Sequence, residues 1–154
     1  SLYFTRHLAE SGIDQEKITG YINMDMVGRN ETNKIFLLCG QVKAGEKESS
    51  PEKCKDLYAL ADDVNKKMKT GFTFSHTDTD SGFERSDQWM FYQVLRNNGR
   101  RIPCWQLFSG EHADYHTPTD TWDKINYPKL ALVAKLAFGI VWQVSQMDNP
   151  PNYK

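Results

Sequence analysis

The sequence predicts an α/β fold: a three-layer αβα sandwich, with a mainly parallel or mixed sheet between helices. Three observations carry this. Short apolar runs of strand length alternate along the chain with segments of helical periodicity. One run, Lys34 to Cys39 (KIFLLC), is almost continuously apolar, the pattern of a strand covered on both faces. The length, 154 residues, suits one domain with a substantial hydrophobic core.

The elements follow in order. Leu2 to Ser11 is predicted as a short helix, with Phe4 and Leu8 four apart and Gly12 as its stop. Ile18 to Val27 is predicted as a strand that Gly28 ends. Its Ile22, Met24 and Met26 fall on one face, and Asn23, Asp25 and Val27 on the other. After the Lys34 to Cys39 strand, Gln41 to Ser50 reads as a polar loop. Pro51 opens a helix whose Leu57, Leu60, Val64 and Met68 keep helical spacing, and Gly71 closes it. Phe72 to Ser75 is a short strand. Ser86 is placed as N-cap of a helix from Asp87 to Asn98, ended by Gly99. Ile102 to Phe108 is a third clear strand, followed by a long irregular loop, SGEHADYHTPTDT. Pro128 opens the last helix, apolar nearly all round from Leu130 to Val144 and so expected to be buried on more than one side. The residues from Asn149 onward read as a tail.

Composition limits the function classes. With 19 Lys and Arg against 20 Asp and Glu, the near-neutral balance gives no reason to expect nucleic acid or an anionic membrane as partner. No apolar run approaches the roughly 20 residues of a membrane span. The three cysteines, Cys39, Cys54 and Cys104, are odd in number and widely spaced. A disulfide framework or zinc knuckle is therefore not expected, and Cys39 and Cys104 read as small core residues. The opening residues read as the interior of a longer protein, so the lack of a targeting segment says nothing of compartment.

Two loops carry unusual chemistry. Asp25 ends an apolar strand, where a carboxylate needs a cation or several donors. It is either the partner of Arg29 or another base, or a metal ligand. His116 lies in Tyr115-His116-Thr117-Pro118, where Pro118 holds Thr117 extended. It is a solvated loop histidine or a ligand, with Asp114 and Asp120 near enough in sequence to accept its second ring N–H. His112 and His116 are four apart. The helical zinc-protease motif needs Glu after the first histidine, and Ala113 stands there, so a helical reading is rejected. Asp78, Asp80 and Glu84 miss the calcium-loop pattern and read as a solvated loop. Ser86 and Ser109 lie outside any G-x-S-x-G elbow, which leaves a serine hydrolase with little support.

Asn23-Met-Asp-Met-Val-Gly28, followed some ninety residues on by Gly110-Glu-His-Ala-Asp-Tyr-His-Thr-Pro-Thr-Asp-Thr121, resembles the di-zinc aminopeptidase family, metallopeptidase family twenty-eight. That family includes bacterial leucyl aminopeptidases, glutamate carboxypeptidases, glutaminyl cyclases and the non-catalytic transferrin receptor. Ser86-Asp87 with Phe91, Ile102-Pro103, and Asp123-Lys-Ile-Asn-Tyr127 are similar to its intervening and following segments, so the likeness runs from Ser1 to about Val144. The resemblance implies a zinc-exopeptidase-like sandwich lacking its N-terminal strands, with residues 1–148 as the C-terminal part of the catalytic domain. It implies Asp25 as ligand of one zinc, His116 as ligand of the other, and Tyr115 as a hydrogen-bond donor to the tetrahedral intermediate. Gln88 stands where many relatives carry His. The family's upstream His-x-Asp and Glu-Glu pairs have no counterpart here, and Ser1 resembles the serine just past the Glu-Glu pair.

The implied activity is zinc-dependent exopeptidase hydrolysis of peptide substrates by the parent protein, with the general base outside this chain and this chain alone inactive. The missing N-terminal part of the same domain is the implied partner, and an exported location follows from family habit. The alternatives are a receptor-like binding homologue and a glutaminyl cyclase.

Overall fold

The computed structural model describes residues 2–30, 33–39, 54–76, 82–97 and 103–148. The expected 41–50 loop, the helix opening at Pro51, Asp78 and Asp80, Gly99, Ile102 and the 149–154 tail lie outside these. Four strands form one mixed sheet: β1 (Tyr21–Asp25), β2 (Lys34–Cys39), β3 (Thr73–Ser75) and β4 (Cys104–Phe108). Their spatial order is β1-β4-β2-β3. β1 runs parallel to β4 and β3 parallel to β2, while β2 and β4 are antiparallel.

Strand alternation sends side chains into two cores. Ile35, Leu37, Cys39, Trp105 and Leu107 point to one face, where α2 (Lys55–Met68) and α4 (Tyr127–Ser145) pack with Leu57, Val64, Val133, Leu136 and Ile140. Leu38 and Cys104 point to the other, with Leu8, Phe83, and Phe91 and Tyr92 of α3 (Gln88–Asn97). The expected sandwich, helices on both sides of a mixed sheet, is what forms. Each fully buried Leu or Ile in these layers contributes about 1.5–3 kcal/mol from removing apolar surface from water.

Local chemistry explains the helix ends. Asn126 caps α4 by accepting the Lys129 N–H at 3.1 Å, and Pro128 sits in the first turn, where its missing N–H costs nothing. Lys69, left-handed at φ 52°, ends α2, and the Asn65 side chain then holds both the N–H and the C=O of Phe72. The first helix is shorter than its periodicity suggests: α1 covers Leu2–Arg6 and the chain then turns through residue 12.

Expectations for α4 and for the cysteines are corrected. α4 is not buried on more than one side: Phe138 and Trp142, 62% and 60% exposed, stack on each other on the face away from the sheet. This helix is also long and apolar enough to cross a bilayer by length and composition, contrary to the sequence reading. Its Val133, Leu136, Ala137 and Ile140 are in the core, so we read it as a core helix. Cys39 and Cys54 form a disulfide across the end of β2 and the start of α2, with Cα atoms 6.2 Å apart. Sequence spacing could not find it, because the two cysteines stand fifteen positions apart and meet only where the start of α2 lies against the end of β2.

Cys104 is buried, and loss of water pushes its thiol up to about 12. Non-reducing peptide mapping is therefore expected to recover Cys39 linked to Cys54. Cys104 should resist alkylation at neutral pH until the protein is unfolded. A Cys104-containing disulfide, or rapid native alkylation of Cys104, would show this packing to be wrong.

Candidate functional site

Parallel pairing puts the ends of β1 and β4 at one edge of the sheet. Asp25 pairs in register with Phe108, so the last residue of β1 lies beside the last residue of β4. Residues 109–121 leave β4 from there. Asp25, and the loop carrying Tyr115 and His116, thus emerge beyond adjacent strand ends, the usual place for ligands in such sheets.

Asp25 is half-buried, and its partner is a serine, not Arg29. The Ser86 hydroxyl donates to Asp25 Oδ2 at 2.6 Å. Ser86 Oγ in turn accepts from Asn23 Nδ2 at 2.8 Å, which also donates to Gln88 Oε1 at 2.7 Å. Gln88 is fully buried and donates to Gln106 Oε1 at 2.9 Å and to the Phe83 carbonyl. A line of hydrogen bonds through uncharged side chains therefore runs from mid-β4, through the start of α3, to the carboxylate that ends β1. Gln88 fills its place in that line as a donor and an acceptor at once. The Ser86 side chain, expected to cap α3, is spent on Asp25.

Immediately after Asp25 the backbone turns through Met26 at φ 52°, a left-handed conformation uncommon for a residue with a side chain. The turn carries Val27 into the α2/α4 core, on the opposite face from the one its alternation predicted. It also brings Arg29 and Asn30 over the loop that follows β4. Asn30 Nδ2 lies 3.1, 3.1 and 3.0 Å from the carbonyls of Ser109, Gly110 and Glu111.

Arg29 holds the far part of the loop. Its two terminal nitrogens donate to different carboxylates, Asp114 and Asp120. Asp114 also receives Lys124 Nζ at 2.6 Å and the Thr119 hydroxyl at 2.7 Å. Lys124 foremost, then Thr119 and Arg29, keep the Asp114 carboxyl well below the usual carboxylate range. This corrects the expectation that Asp114 or Asp120 would accept from His116: both are spent on Arg29. Sequence distance suggested the histidine, but the cation arrives from the β1 turn, which the spacing did not reveal.

The loop itself is a run of turns, not a helix, with Tyr115 N–H on the His112 carbonyl and Thr117 N–H on the Asp114 carbonyl. His116 is left-handed at φ 56° and exposed, and its ring stacks on Tyr115 with centroids 3.9 Å apart. Among the described residues no carboxylate engages its imidazole. His112 points inward, 6% exposed, with Nε2 3.8 Å from Asp120 and no partner for Nδ1. The Tyr115 hydroxyl oxygen accepts from Arg85 at 3.3 Å, and Arg85 is itself fixed by Glu111 at 2.9 Å. Sequence reading offered Arg29 only as a possible partner of Asp25, and did not single out Arg85 or the Ser86 link as parts of the site.

A zinc ion suits this pair in kind. The second Asp25 oxygen takes no hydrogen bond from the described residues, and the His116 ring nitrogens are likewise not engaged by them; carboxylate oxygen and imidazole nitrogen are ordinary zinc donors. The number falls short: among the described residues no group of three or more His, Cys, Asp or Glu is placed to hold a metal.

Comparison with known proteins agrees with the fold. An aminopeptidase from Aneurinibacillus sp. strain AM-1 superposes with a TM-score of 0.59 at 22% identity, over 100% of this chain and 32% of its own. The LapA aminopeptidase of Legionella pneumophila gives a TM-score of 0.59 at 16% identity, over 96% of this chain and 36% of its own. The chain thus spans about a third of the length of each. No curated protein matches it. The family model of peptidase family M28 matches residues 1–141, nearly the whole chain, and the chain belongs to that family.

Proposed function

We propose that this chain is the C-terminal part, residues 1–148, of the catalytic domain of a zinc-dependent exopeptidase of aminopeptidase type acting on peptide substrates. The observation that carries the proposal is the placement of Asp25 and the His116 loop beyond two adjacent parallel strand ends, in a chain of a peptidase family. Asp25 and His116 are the ligands we assign to two zinc ions. When bound, zinc supplies Lewis acidity at the peptide carbonyl and lowers the pKa of water towards neutrality.

The remaining work falls to this chain's own side chains. Ser86 donates to one Asp25 oxygen, which fixes the carboxylate and leaves the other oxygen to face a ligand. Tyr115 is assigned to the oxyanion. Arg85 donates to its phenol oxygen, so the phenol hydrogen is directed elsewhere and is available to a substrate oxygen. A donor of that kind contributes about 3–4 kcal/mol to the transition state. The general base and the other ligands we assign to a further part of the parent protein; the one-third coverage of the two aminopeptidases supports this. We also propose that the parent protein is exported, a reading supported by the Cys39–Cys54 bridge, since disulfides persist mainly in oxidising compartments.

Two experiments test the reading. Chelation of the full-length protein is expected to abolish peptide hydrolysis and zinc to restore it, and His116→Ala should lower kcat/KM by a factor on the order of 10³ or more. Full activity and unchanged metal content in His116→Ala would exclude the mechanism. The second uses this chain alone. With one assigned ligand per zinc, against about three in catalytic sites, calorimetric titration should give weak binding and no turnover. Tight binding of two zinc ions with peptidase turnover would mean that a full ligand set lies within these residues.

A further inference from the structure

Arg29 occupies neither assigned ligand position, yet it sits in the turn that follows one and holds the acids that flank the other. It lies in the turn that begins at Asp25, four residues on, and its side chain is only 15% exposed. One terminal nitrogen holds Asp114, two residues before His116, and the other holds Asp120, four residues after it. Its own carbonyl accepts from the buried Lys129 ammonium at 2.7 Å, and the adjacent Gly28 carbonyl accepts from the Asn126 N–H at 2.8 Å. The start of α4 thus fixes the turn from behind, while the guanidinium fixes the loop in front.

A guanidinium is planar and presents its donors at set angles, so two carboxylates on its two ends are held at a defined separation. A lysine ammonium is a single flexible point charge and does not impose that separation. Pairs of partly buried charges are weak sources of net stability, because desolvation offsets most of the attraction. Asp114 keeps Lys124 and Thr119 if Arg29 is removed, so that carboxylate is not stranded. What the loss removes is the link between the Asp25 turn and the stretch that flanks His116, while Asn30 still ties the start of the loop.

We propose that Arg29 is a positioning residue that locks the His116 loop to the Asp25 turn, so that the two assigned ligands form one centre. This rests on the zinc reading above. It predicts that Arg29 acts on metal through His116 and not through the stability of the whole fold.

The test uses the full-length protein, with zinc affinity measured by competition against a chromogenic chelator. Arg29→Ala is expected to weaken zinc binding about 10–100-fold, the usual range for losing an outer support of a ligand. Arg29→Lys, which keeps the charge and loses the fork, should fall between. In a His116→Ala background, Arg29→Ala should change affinity by less than about threefold, because the two act along one path. An equal loss in both backgrounds, or no loss in either, overturns the proposal.

A second arm needs no metal. Amide hydrogen exchange of the metal-free protein should be faster by about tenfold or more at Tyr115, Thr117 and Asp120 in Arg29→Ala, with the α2 amides unchanged. Unchanged exchange in the loop, or faster exchange throughout, overturns the clamp. If His116→Ala alone leaves zinc affinity unaltered, the zinc reading fails, and the exchange arm still decides whether Arg29 holds the loop.

Discussion

The parallel pairing of β1 with β4 is the constraint on which everything at this site depends. Because Asp25 and Phe108 are register partners, the carboxylate and the loop that carries His116 leave the sheet side by side. A shift of one residue would turn Asp25 and Asn23 to the other face, away from Ser86 and Gln88. The hydrogen bonds joining Gln106, Gln88, Asn23 and Ser86 therefore fix the register as well as the carboxylate. The bonds among the amides and the serine are between neutral groups, and only the last, from Ser86, meets a charged oxygen, at the half-buried strand end.

The turn after Asp25 extends that constraint outward. Met26 in a left-handed conformation reverses the chain, and within four residues Asn30 and Arg29 reach opposite ends of the loop after β4. Asn30 gathers the carbonyls where the loop begins, and Arg29 gathers the carboxylates on either side of His116. A long irregular loop is ordinarily the most mobile part of such a fold. Here it is tied to the strand end at both its start and its finish, which suits a residue that must present an imidazole in a fixed place.

Much of the fold was legible in the sequence, for reasons that follow from periodicity. KIFLLC reads as a doubly covered strand and is one, from Lys34 to Cys39. The spacing of Leu57, Leu60 and Val64 reads as a helix face, and those residues are buried in α2. What failed was whatever depends on tertiary return. Cys39 and Cys54 meet where the start of α2 lies against the end of β2, and the aromatic face of α4 is exposed, with nothing among the described residues covering it. At the site, the two family segments drew attention to Asp25 and His116. The partners of the surrounding charges are not the ones that sequence proximity offers: Arg29 stands near Asp25, and Asp114 and Asp120 near His116, whereas these acids take the arginine and Asp25 takes Ser86. Sequence proximity proposes local pairs, and the β1–β4 edge makes distant ones.

The central claim is that Asp25 and His116 belong to one metal centre at that edge. Anomalous diffraction at the zinc absorption edge, from crystals of the full-length protein, tests it most directly. The account predicts two peaks about 3.5–4 Å apart, one at zinc-ligand distance from the Asp25 carboxylate and the other from the His116 imidazole. Zinc bound elsewhere, with Asp25 held by Ser86 alone and His116 in solvent, would contradict it.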